Sequence, residues 1–74
     1  MIGELEMVAL ARDIPEFGLE AGDIGCVVLV HSGGRGFEIE FATIRGDTLA
    51  VVTLRSDDLR PVNGNEIPHA RAVA

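Results

Sequence analysis

Gly18-Leu19-Glu20-Ala21-Gly22-Asp23-Ile24-Gly25-Cys26-Val27-Val28-Leu29-Val30 sets three glycines, four and three residues apart, directly ahead of an apolar run. Glycine tolerates positive φ and lets another backbone approach closely, so this spacing predicts a tight turn feeding a bent strand. A second strand over Asp23–His31 follows. In simple alternation, Ile24, Cys26, Val28 and Val30 share one face, and Gly25, Val27, Leu29 and His31 the other. Both faces are apolar at the centre, as expected of a strand covered on each side.

Reading outward, Leu5–Ala11 gives a first strand. The stretch Arg12-Asp13-Ile14-Pro15-Glu16-Phe17-Gly18 interrupts regular structure, because Pro15 fixes its own φ and pushes Ile14 extended. It predicts a long first loop anchored by Ile14, Phe17 and Leu19. Ser32-Gly33-Gly34-Arg35-Gly36 reads as a hairpin turn. Phe37–Ala42 then alternates cleanly, with Phe37, Ile39 and Phe41 inward and Glu38 and Glu40 outward. Arg45-Gly46-Asp47 turns the chain into a fourth strand, Thr48–Leu54. Ser56–Val62 predicts a 3₁₀ turn capped by Ser56 and a short closing strand. The expected fold is therefore all-β, a small five-stranded SH3-like barrel over residues 1–62, with residues 63–74 as a flexible tail.

The chain has 74 residues, so it holds one small core. Its single cysteine excludes an intrachain disulfide, and two histidines with that cysteine lack zinc-finger spacing. No cofactor is expected. Twelve acidic residues against six arginines and no lysine give a net charge of −6. Phosphate binding needs clustered cations, and these arginines stand singly, so nucleic acid and anionic membranes are poor partners. A basic protein surface is the better complement. No run is long and apolar enough to span a membrane and no basic-then-apolar leader opens the chain, so a cytoplasmic protein is expected.

Taken together, Met7-Val8-Ala9-Leu10, Ile14-Pro15-Glu16-Phe17-Gly18-Leu19, Gly22-Asp23-Ile24-Gly25, Phe37-Glu38-Ile39-Glu40-Phe41 and Leu59-Arg60-Pro61-Val62 resemble the short bacterial proteins grouped as domain of unknown function 4926. The resemblance covers roughly residues 5–62. It implies an SH3-like barrel without an established enzyme activity and suits an immunity- or antitoxin-like accessory role beside a neighbouring gene product. The chain departs from the family pattern at Glu20-Ala21 and Leu29, which makes its surface more acidic and more apolar.

No catalytic constellation assembles from these residues. Asp57-Asp58 reads as acids favoured at the opening of a helical turn. Asp23 reads as a turn residue bonding its own backbone. Cys26 and His31, an odd number of residues apart, fall on opposite faces of a straight strand, and Cys26 reads as a buried thiol. The glycines around Arg35 lack the lysine and following helix of a phosphate loop. Without Tyr or Trp there is no aromatic groove for polyproline. The expected function is non-enzymatic binding of another protein. Glu38 and Glu40 form an acidic stripe, Arg35 stands at the hairpin tip, and Val27 and Leu29 offer an apolar side. Self-association through that side or through a free strand edge is the alternative, with nucleic-acid binding a weaker one.

Overall fold

The computed structural model describes residues 2–73; Met1 and Ala74, the outermost ends of the two expected segments, lie outside the described residues. Five strands form one antiparallel sheet: β1 (Met7–Leu10), β2 (Ile24–His31), β3 (Gly36–Ala42), β4 (Thr48–Leu54) and β5 (Leu59–Pro61). Their order is β4-β3-β2-β1-β5. A long loop joins β1 to β2, short turns join β2 to β3 and β3 to β4, and β5 returns beside β1. The two ends of that order, β4 and β5, are not paired with each other, so the sheet is open.

A lone sheet with no helical layer has to curl to cover its own apolar face. Leu54 on β4 and Leu59 on β5 accordingly belong to the same core cluster as Val8, Val27, Ile39 and Phe41, although their strands lie at opposite edges. The register explains the selection. Val8 lies opposite Gly25, Val27 opposite Ile39, and Ile39 opposite Val52, and directly opposed residues point to the same side.

The opening glycines behave as two different devices. Gly22 sits at φ +93, in the left-handed region, where the chain turns into β2. Gly25 is a contact requirement instead. A Cβ there would lie 2.5 Å from Ile39 Cγ2 and 2.9 Å from Phe41 Cε1. Only a glycine lets β2 pack this closely over β3.

The long first loop is folded onto the core through Ile14 and Leu19, both about 3% exposed and joined by reciprocal backbone hydrogen bonds of 2.9 and 3.1 Å. A 3₁₀ turn, Pro15–Phe17, lies between them. Phe17 is not the expected anchor: it is 51% exposed, because the turn directs it away while its neighbours close the bridge. The turn at 56–58 is also capped differently. The Asp58 carboxylate accepts the Arg55 amide at 3.0 Å, so the cap comes from the third residue of the turn and not from Ser56. Asp58 further accepts the Arg12 guanidinium at 2.8 Å, tying the first loop to the 3₁₀ turn that precedes β5.

After β5 no strand or helix follows through residue 73. Arg71 nevertheless reaches the opening turn, donating to both Asp23 oxygens at 2.9 and 2.6 Å and to the Gly18 carbonyl at 2.9 Å.

Candidate functional site

The decisive local feature is a β-bulge in β2. Val27 pairs with Ile39 and Leu29 pairs with Glu38, leaving Val28 as an extra residue. An inserted residue reverses the alternation beyond it. Gly25, Val27 and Val30 thus face the core, whereas Cys26, Leu29 and His31 share the outer face with Glu38 and Glu40. This corrects the expected pairing of Val27 with Leu29 on one exposed side: Val27 is fully buried and Leu29 is 44% exposed. It also corrects the expectation for Cys26 and His31, which lie on the same face. Cys26 is half-buried there, not buried, and it makes no hydrogen bond to His31 among the described residues.

The outer face can be read row by row. Val51, Glu40, Cys26 and Met7 stand in register across four strands. The next row holds Thr53, Glu38 and Leu29. Leu49 occupies a second irregularity, where β3 and β4 shift register between Phe41 and Ala42. Met7, Val28, Leu29, Leu49 and Val51 are all exposed. Towards β5 the same face carries Ala9, which is buried, so the open part spans β2 to β4 and ends at Met7.

The two glutamates are organised by their neighbours. Glu38 Oε2 accepts the Thr53 hydroxyl at 2.6 Å and lies 2.7 Å from His31 Nε2. Glu40 Oε2 accepts the Thr48 hydroxyl at 2.6 Å. The Thr53 hydroxyl foremost, and then the His31 ring, hold the Glu38 carboxyl below its ordinary titration range. Hydrogen bonds from Thr53 and Thr48 hold the two carboxylates in place, with remaining lone pairs open to a partner's donors. Thr48 and Thr53 do not stand out in the sequence as site residues. Thr53 shares parity with Val51 on β4, which is the signal that places it beside Glu38; Thr48 reaches the outer face only through the irregularity at Leu49, which leaves no signal in the sequence.

Arg35 sits in the β2–β3 turn, exposed, with no ion pair within 4 Å among the described residues. The turn is closed by amides of Gly34 and Arg35 on the His31 carbonyl, at 2.9 and 3.0 Å. These amides are spent on the turn and do not converge on an anion. Asp23 accepts the Glu20 amide at 2.8 Å, as a turn aspartate should, and adds the unforeseen pair with Arg71. No group of three or more His, Cys, Asp or Glu with metal-holding geometry occurs among the described residues.

These features define an all-β domain of one open antiparallel sheet whose outer face is part apolar and part acidic. The chain belongs to the family described as domain of unknown function (DUF4926), whose model matches residues 4–61. No match to it is found among curated proteins or among solved structures.

Proposed function

We propose that this domain is a non-enzymatic module that binds another protein through the outer face of β2, β3 and β4. The carrying observation is that Val28, Leu29, Leu49 and Val51 lie exposed around Glu38 and Glu40 on one sheet face, while the core is complete without them. Grouped apolar side chains with a polar rim are what a protein interface requires. The anchored carboxylates favour a partner with Arg or Lys beside its own apolar patch. Five short strands in a curled meander, with the last beside the first, support an SH3-like barrel whose β4 and β5 are not joined by hydrogen bonds. The absent lysine, the scattered arginines and the net charge of −6 weigh against a nucleic-acid ligand. An immunity- or antitoxin-like role, with a partner encoded nearby and a cytoplasmic setting, fits such a module.

Affinity capture with the purified domain tests this reading. A partner retained by the native protein is expected to be lost with Leu29→Asp and Glu40→Lys and kept with Arg71→Ala. Retention by both outer-face variants would refute it.

A further inference from the structure

Ala9 is 1% exposed, yet it stands outside the core cluster that holds both its neighbours, Val8 and Leu10. Alternation puts it on the outer face, opposite Ile24 on β2 and Arg60 on β5. A methyl group there is buried only if longer side chains or another segment cross above it. The C-terminal segment takes that route. It leaves β5 beside Met7, where the Val62 amide donates to the Met7 carbonyl at 3.3 Å. It turns at once: the Glu66 amide donates to the Asn63 carbonyl at 3.1 Å, and Glu66 Oε2 accepts the Asn63 amide at 2.6 Å. Glu66 Oε1 then meets Arg60, the residue opposite Ala9, at 2.6 Å. Further on, Arg71 grips Asp23, whose carbonyl accepts the Leu10 amide at 2.9 Å. The segment therefore doubles back along β1, from its Met7 end to its Leu10 end.

Both fastenings are ionic. Arg71 donates to the two Asp23 oxygens and to the Gly18 carbonyl, and it lies 3.6 Å from Glu20. No apolar side chain of residues 63–73 joins the core cluster, and Ile67 and Val73 are exposed. A segment held by solvent-facing ion pairs opens at a cost far below global unfolding, and salt screens its hold.

We infer that residues 63–73 form a strap across the outer face, closed over Ala9 by the Glu66 and Arg71 latches and releasable without unfolding the sheet. Latched, the strap ends the open face at Met7. Released, it adds Ala9, Ile24 and the Arg60 guanidinium to that face. The strap itself rests on the route and the latches; that its release enlarges a docking surface rests on the binding role proposed above.

Thiol labelling tests it in a chain carrying Ala9→Cys and Cys26→Ser, whose one thiol then lies under the strap. Ellman's reagent reacts slowly with the latched chain and at least about tenfold faster once Glu66→Ala and Arg71→Ala are added. Sodium chloride at about 0.5 M speeds labelling of the latched chain alone. Should Ala9→Cys fail to fold, the heteronuclear NOE of residues 66–72 in the otherwise native chain carries the test. It falls from strand-like values to those of a free terminus on the same two latch substitutions. Equal labelling rates with and without the latches, or a segment equally rigid without them, overturn the inference. No partner enters either assay, so their failure leaves the docking reading standing, and failed capture leaves the strap.

Discussion

At Gly25 the packing leaves no room for a single methyl group. A Cβ would meet Ile39, Phe41 and the Glu40 carbonyl oxygen at 2.5, 2.9 and 3.0 Å, and the last of these is backbone that cannot rotate aside. Gly25→Ala is expected to cost about 1–3 kcal/mol, read as a lower urea midpoint at unchanged slope. Asp23 ends the same turn, partly buried, accepting from Arg71 and from the Glu20 amide. Asp23→Ala removes the two bonds from Arg71 and the one from Glu20 and is expected to cost about 1–2 kcal/mol in the same measurement. The glycine spacing was readable in the sequence because it obeys a local rule. Arg71 was not, since nothing 48 positions downstream marks it as the turn's partner.

The strands show the same division. Phe37–Phe41 alternates without interruption, and its inward and outward residues follow directly from sequence. β4 was legible to its last residue because Asp47 and Arg55 bracket an uncharged β-branched run. In β2 every residue from Cys26 to Val30 is apolar, so no polar partner records the phase, and the extra residue at Val28 left no trace. The bulge makes a sharp distinction between neighbours. Val27→Asp buries an unpaired carboxylate among Ile39, Val8 and Phe41 and is expected to cost more than about 3 kcal/mol, enough to unfold so small a domain. Val28→Asp, one residue on and 41% exposed, is expected to fold with a change within about 1 kcal/mol. Thermal unfolding of the two variants side by side separates a bulged strand from a regular one.

For the whole molecule, acid is the predicted weakness. Asp23, Glu38, Asp58 and Glu66 all titrate below their ordinary values, because each carboxylate accepts bonds that exist only in the folded chain. For Asp23 and Asp58 the leading cause is an arginine, Arg71 and Arg12; for Glu38 it is the Thr53 hydroxyl and for Glu66 the Asn63 amide. A lowered folded value means the unfolded chain takes up protons first as pH falls. The contribution of these groups is complete above the unfolded carboxylate range, about pH 4, and is lost as pH drops through the lower folded values. Stability is thus expected to be level from neutral to mildly acidic pH and to fall steeply below about pH 4, as followed by the urea midpoint. On the binding role proposed above, the −6 charge and the exposed outer face suit a basic, partly apolar partner surface. The central claim is that this face, and not the hairpin tip or the opening turn, carries the binding. Capture of a partner by the native domain, compared with Leu29→Asp, Glu40→Lys and the control Arg71→Ala, tests it most directly. Loss with the first two and retention with the third is predicted; undiminished capture by both outer-face variants would contradict it.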